Sequence, residues 1–150
     1  MKYVQEAAEL ARRLDNVLHR RKRYSYQPLN VDQEEIRLLE VQSGRPSDPV
    51  RCSFKAVSKK DKNHTPYEAV SYCWQTVPGH GQIRIDGCTT HVTASAEAAL
   101  RRLRRSDTSR ILWSDAVCMN LADKAERSQQ VALMGKIYNV NRGEVNHAMK

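Results

Sequence analysis

This sequence has no run near the ~20 consecutive apolar residues of a membrane-spanning helix, and its N-terminus lacks the apolar core of a secretory signal. Those two absences lead to the expectation of a soluble chain held in the cytoplasm, with the nucleus as second location. The four cysteines, Cys52, Cys73, Cys88 and Cys118, include no C-x-x-C spacing, and three of them sit in strand-like apolar runs. A buried, reduced thiol is the ordinary state for cysteines so placed. A Walker loop, a G-x-G-x-x-G turn, a zinc-ligand set and a nucleophile elbow are all missing, so no metal site is expected and the commonest nucleotide and hydrolase signatures are excluded. Internal repeats and low-complexity tracts are missing as well.

Charge is plentiful. Charged residues make up 28% of the 150, hydrophobic ones 40%, and the mean hydropathy is −0.69. One domain with a tail or two is the simplest reading, and such a chain buries ~68–70% of its unfolded surface. The net charge of +8 favours polyanionic partners, nucleic acid or an acidic membrane surface, without establishing either. The positive charge is clumped at His19–Arg23 and Arg101–Arg105.

Periodicity divides the chain. Val4, Ala7, Ala8, Ala11, Leu14 and Leu18 form one stripe of a basic N-terminal helix over residues 1–23, which reads as appended. Residues 24–66 read as a lead-in, with a strand at Glu35–Val41 and an alternating strand at Val50–Val57 placing Val50, Cys52, Phe54 and Ala56 on one face. These two pair antiparallel across the loop Ser43–Pro49. Residues 67–138 read as the core: a central strand at Tyr67–Trp74, a hairpin over Gln82–Val92 turning at Gly87, and a helix over Ser95–Arg105 capped by Thr93 or Ser95. That helix packs through Ala96, Ala99, Leu100 and Leu103, with Arg101, Arg102, Arg104 and Arg105 outward. A strand at Ile111–Val117 follows, interrupted by Asp115, and then a helix opening at Asp123 with Val131, Met134, Ile137 and Tyr138 as its apolar face. Residues 139–150 show no apolar period and read as a disordered tail. The order predicts an α/β fold: a mixed, mostly parallel sheet flanked by helices, with an N-terminal antiparallel strand pair.

The segments Tyr67-Glu68-Ala69-Val70-Ser71-Tyr72-Cys73-Trp74, Ile83–Gly87 with Val92-Thr93, Leu112-Trp113-Ser114-Asp115-Ala116-Val117-Cys118-Met119-Asn120, and Glu126-Arg127-Ser128-Gln129-Gln130-Val131 leading to Met134 and Ile137-Tyr138 occur in that order. This ordered set resembles the heterokaryon-incompatibility (HET) domain of filamentous fungi over residues 24–138. Gln75, Ser114 and Leu121 depart from the family pattern, and the apolar strand usual after Tyr138 is not evident. The resemblance therefore implies a truncated copy with an exposed sheet edge. It implies a role in fungal non-self recognition and the programmed cell death that follows, through protein partners or homotypic assembly. It also implies a distant likeness to TIR domains, which are flavodoxin-like and some of which cleave NAD.

Chemistry is sought beyond the carboxyl ends of the strands. Asp115 is a carboxylate within an apolar run, which marks either a site or a strand-end hydrogen bond. Glu126 is the group that would stabilise an oxocarbenium-like centre if NAD were cleaved, or else part of a capping box. Asp115 and Glu126 are thus the catalytic candidates, and NAD the one cofactor considered. Binding candidates are Cys118, a nucleophile or a buried thiol; Asn120, an amide ligand or a turn former; Arg127, a phosphate contact or a solvated cation; and Tyr72 and Trp74 of the first family block. Trp74 and Trp113 equally suit core anchors. The alternatives to a HET-type signalling module are an NAD-cleaving hydrolase on a TIR-like sheet and a basic nucleic-acid-binding protein. The last lacks the interleaved aromatics or reading helix expected of such a module.

Overall fold

Glu35-Ile36-Arg37-Leu38-Leu39-Glu40-Val41 forms β1, and Ile36, Leu38, Leu39 and Val41 within it have no exposed surface. A strand buried on both faces belongs in the middle of a sheet. The computed structural model, which describes residues 6–7, 9–10, 24–72, 79–139 and 146–149, puts it there. The sheet order is β5-β4-β2-β1-β6-β3-β7, with β2 at Arg51–Ser58, β3 at Glu68–Tyr72, β4 at His80–Ile85, β5 at Cys88–Thr93, β6 at Arg110–Ser114 and β7 at Asn146–Met149. Three helices accompany it within residues 79–139: α1 at Ala94–Leu103, α2 at Asp115–Cys118 and α3 at Lys124–Asn139.

The architecture is mixed α/β, as expected, but the sheet is not mostly parallel. β1 runs antiparallel to both β2 and β6, and β4 antiparallel to β5, while β2–β4, β3–β6 and β3–β7 are parallel. The lead-in residues 24–66 thus supply the middle of the sheet through β1. The strand read as central, β3, lies one place from an edge. The tail read as disordered contributes β7 at Asn146–Met149, which pairs with β3 and occupies the edge that the sequence left open. Trp74, Cys73 and Gln75 lie outside the described residues, as does most of the N-terminal helix. Residues 6, 7, 9 and 10 are helical and exposed.

Side chains of a strand alternate between faces. Ile36 faces the same way as its partner Val57, and Arg37, Leu39 and Val41 face the other, along with Phe54 and Cys52. This explains why β2 departs from its expected single apolar face: Val57 is buried on one side, Cys52 on the other, and Ala56 is exposed. Helix α3 packs against β1, Tyr67 and β6. Its Gln130 amide donates to the Glu35 carbonyl at 2.9 Å, the Tyr67 hydroxyl donates to the Ile137 carbonyl at 2.7 Å, and Trp113 meets Tyr138 edge to face with centroids 5.7 Å apart. Of the expected apolar face of α3, Ile137 is buried and Met134 and Tyr138 pack against the core, but Val131 is 53% exposed, and Glu126, Gln130 and Leu133 are buried as well.

Helix α1 begins where Thr93 Oγ1 accepts the Ala96 amide at 3.1 Å, which satisfies one of the first-turn donors. It lies so close to β4 that a Cβ at Gly81 would come within 2.8 Å of the Glu97 Cβ. The β4–β5 hairpin turns through Asp86 (φ 50°) and Gly87 (φ 78°), two left-handed residues that suit the twist of a two-residue turn. The outward arginines of α1 are fastened to the loop before β2. Arg101 donates to the carbonyls of Pro46 and Asp48 at 3.0 and 2.9 Å, and Arg104 donates to those of Asp48 and Pro49 at 2.9 and 3.0 Å.

Candidate functional site

Arg37 is the one charged residue of β1 that is buried, and it organises the carboxyl-end corner of β6. Its guanidinium faces Glu126 in a two-pronged pair, Nη1 to Oε2 at 2.9 Å and Nη2 to Oε1 at 2.5 Å. The two side chains are only 3% and 8% exposed. The remaining donor directions are also used: Nη1 donates to the Cys118 carbonyl at 3.1 Å and Nη2 to the Gln27 carbonyl at 2.6 Å. The Tyr26 ring lies under the guanidinium, 4.9 Å from centroid to carbon, and its hydroxyl donates to the Val117 carbonyl at 2.7 Å. A buried charge pair is tolerated when its remaining groups are satisfied in this way.

Glu126 has a third bond. Its Oε2 accepts the Asn120 amide at 2.6 Å, closing the turn between α2 and α3. The helix start itself is capped by Asp123, whose Oδ1 accepts the amides of Ala125 and Glu126 at 3.1 and 3.2 Å. The pair therefore ties four separate pieces together: the segment before β1, β1 itself, the α2 turn and the first turn of α3.

The expected strand at Ile111–Val117 stops at Ser114, and Asp115 opens α2 instead of interrupting a strand. Asp115 is half-buried; burial pushes up the phenol of Tyr138 and the thiol of Cys118, and the Asp115 charge adds to both. Cys118 is fully buried; desolvation pushes its thiol up to about 12, and its sulfur accepts the Ser114 amide at 3.3 Å. Cys52 is likewise pushed up to about 12 by burial. Neither is a thiolate at neutral pH, so iodoacetamide is expected to leave Cys52 and Cys118 unmodified in the folded protein and to alkylate both after denaturation. Peptide mass mapping before and after denaturation checks this.

The concave surface nearest these residues is an open groove of about 330 Å³. Tyr24, Tyr26, His91, Met119, Asn120 and Leu121 are among the residues lining it. Asn120 is thus the one sequence-derived candidate on its wall; Asp115, Cys118, Glu126 and Arg127 do not line it. Arg127 is exposed on the first turn of α3. Tyr72 ends β3, where its backbone pairs with Met149, and Trp74 lies outside the described residues. Tyr24, Tyr26 and Phe54 cluster at the groove base, with ring centroids 5.1–5.7 Å apart. Burial pushes the Tyr24 phenol up, and the charge of Asp86 adds to that.

Arg37, Tyr24 and Tyr26 were not singled out from sequence. The available signal was an arginine between Ile36 and Leu38 in a strand with four apolar residues. Among the described residues, no three His, Cys, Asp or Glu side chains gather to hold a metal ion, and no helix is long and apolar enough to cross a membrane. Of the arginines at 101–105 weighed for nucleic acid, Arg101 also pairs with Glu97 at 3.1 Å, and Arg105 lies 3.8 Å from Glu68, which Arg110 of β6 meets at 2.6 Å. The cluster at residues 19–23 lies outside the described residues.

These features define a mixed α/β domain whose best-formed polar site is a buried, fully bonded ion pair. The family model described as "Heterokaryon incompatibility protein (HET)" matches residues 67–144, more than half of the chain, and the chain belongs to that family. No curated protein and no solved structure gives a significant match.

Proposed function

We propose that this chain acts in non-self recognition and programmed cell death as a HET-type signalling module, working by contact between protein surfaces. The supporting observation is the state of Glu126. Its two oxygens already accept from both prongs of Arg37 and from the Asn120 amide. A carboxylate held so is a fastener of the fold, and using it as an ion-stabilising group would require breaking the pair. Cys118, buried and protonated, supports the same reading. The likeness to TIR domains stays part of the proposal for the parallel β6–β3–β7 half of the sheet only. Expression of the full chain from an inducible promoter in a filamentous fungus is expected to arrest growth and reduce viability. Growth indistinguishable from the empty-vector strain, at verified protein level, sinks the proposal.

A further inference from the structure

We infer that Arg51 and Arg84 form a receptor for one phosphate group, carried on a phosphorylated serine or threonine of a partner protein. The inference rests on the protein-contact reading above and names the chemistry of that contact. Arg51 and Arg84 are register partners on the neighbouring parallel strands β2 and β4. The strands are joined there by the Arg84 amide on the Val50 carbonyl at 2.8 Å and the Asp86 amide on the Cys52 carbonyl at 3.0 Å. Neighbouring strands stand ~4.7–4.9 Å apart, and partnered residues project from the same face. That face is open at both positions. Gly81, Ile83 and Ile85 are buried while Gln82 and Arg84 between them are exposed, and Arg51 is exposed beside the buried Cys52.

Like charges directly opposite each other in a sheet are destabilising, and nothing in the fold relieves this pair. Arg37, Arg45, Arg101, Arg105 and Arg110 each meet a carboxylate, and Arg104 meets carbonyls. Among the described residues, neither Arg51 nor Arg84 has an ion pair or a side-chain hydrogen bond. On their outer sides they adjoin Gln42 and Thr89, both uncharged. The acids along these strands serve other groups. Glu40, which is opposite Ser53, accepts the Ser109 hydroxyl at 3.0 Å, and Asp86 in the hairpin turn acts on Tyr24 and Cys52 of the other face. Two guanidinium forks side by side suit a phosphate monoester, which brings three acceptor oxygens and a charge of about −1.5 to −2.

Arg84 also lines an open cleft of about 240 Å³, with Ser47, Pro49, Gln82, Thr89 and Glu97 among its other walls. Glu97 is compensated there: its Oε1 meets Arg101 at 3.1 Å and its Oε2 accepts the Gln82 amide at 3.3 Å. The cleft is smaller than the ~300–1,000 Å³ of ordinary small-molecule sites. It therefore seats a phosphate and the few atoms beside it, not a whole nucleotide. A phosphate borne on a larger body fits that size, and arginine clusters are a general means of reading phosphorylated side chains. A bilayer is the poorer fit, because it would press its phosphates on the carboxylates of Glu40 and Glu97 as well.

Amide-shift titration of the full chain by nuclear magnetic resonance, at fixed ionic strength, tests this with a short glycine-rich peptide carrying one phosphoserine. The phosphopeptide is expected to shift Arg51, Arg84 and Thr89 in a saturable way, and its unphosphorylated twin to shift none of them. Arg51→Gln and Arg84→Gln are each expected to weaken binding at least about tenfold. Lys62→Gln, which removes an exposed cation outside the strands, is expected to change it less than about twofold. Circular-dichroism melts show which variants are folded, and removing one of two opposed cations is expected not to lower the midpoint. If a glutamine variant is unfolded, Arg84→Lys decides, since lysine keeps the charge without the fork and is expected to weaken binding at least about threefold. No saturable shift up to ~20 mM phosphopeptide, beyond the millimolar range of weak binding, overturns the inference. So does a folded Arg51→Gln or Arg84→Gln variant that binds as tightly as wild type. Vesicles containing phosphatidic acid form the other arm: if they bind through the two arginines and the phosphopeptide does not, the face meets lipid and the inference is overturned. None of these readouts is growth arrest, so this contact and the signalling role fail separately.

Discussion

A fragment starting at Tyr67 and carrying all the family-matched residues is expected to remain unfolded. The family match begins at residue 67, but the sheet does not. Removing residues 24–66 deletes β1 and β2, which stand between the β4–β5 hairpin and the β6–β3–β7 group. No strand pairing then joins the two remnants. The deletion also removes Ile36, Leu38, Leu39, Val41 and Val50, none of which has exposed surface in the full chain. Truncating one such side chain to alanine typically costs about 2–5 kcal/mol, against a total stability of about 5–15 kcal/mol for a domain. The loss of five, together with both central ladders, exceeds that margin. Far-ultraviolet circular dichroism and a proton–nitrogen correlation spectrum check this. A cooperative melt and dispersed amide peaks from the fragment would show that β1 and β2 are dispensable.

Glu126→Ala is expected to destabilise the full chain by about 3–5 kcal/mol, the usual cost of leaving one member of a buried ion pair alone. The size follows from what is left behind. Arg37 keeps its carbonyl partners on Gln27 and Cys118 but loses both carboxylate oxygens, and the Asn120 amide loses its acceptor. Glu126→Gln is expected to fall between wild type and alanine, because the amide retains an acceptor for Asn120 while leaving the guanidinium charge uncompensated. The double substitution Arg37→Met with Glu126→Leu is expected to be less damaging than either Arg37→Met or Glu126→Leu, since apolar groups of similar size remove the stranded charge. Urea denaturation of wild type, the two singles and the double gives the coupling energy directly. Additive single effects would mean that the pair is not a unit.

Local rules were readable in the sequence where neighbours decide the outcome. The extended segment of β2, the Asp86-Gly87 hairpin turn and the Thr93 cap each depend on residues close in the chain, and each appears where it was expected. Failures came where distant groups decide. Gln130 is buried where its amide reaches the Glu35 carbonyl, 95 residues earlier, while Val131 beside it in the chain meets solvent. Ser114 ends its strand where the chain folds back to place the Cys118 sulfur on the Ser114 amide. The tail strand β7 has a composition that does not mark it; the parallel edge of β3 makes it a strand. The candidate site was the hardest part, since the importance of Arg37 depends on a carboxylate 89 residues away.

That separation has a consequence in time. Synthesis at ~5–20 residues per second places Glu126 on the growing chain roughly 4–18 s after Arg37, given their separation of 89 residues. Through that interval β1 can pair with β2, but β6 and α3 do not yet exist to cover it. A nascent Ile-x-Leu-Leu-x-Val strand is an invitation to wrong partners, and a cation within such a run is the usual deterrent. Arg37 is therefore expected to serve twice, keeping the unfinished strand soluble on the ribosome and then, once its carboxylate arrives, fastening the finished corner.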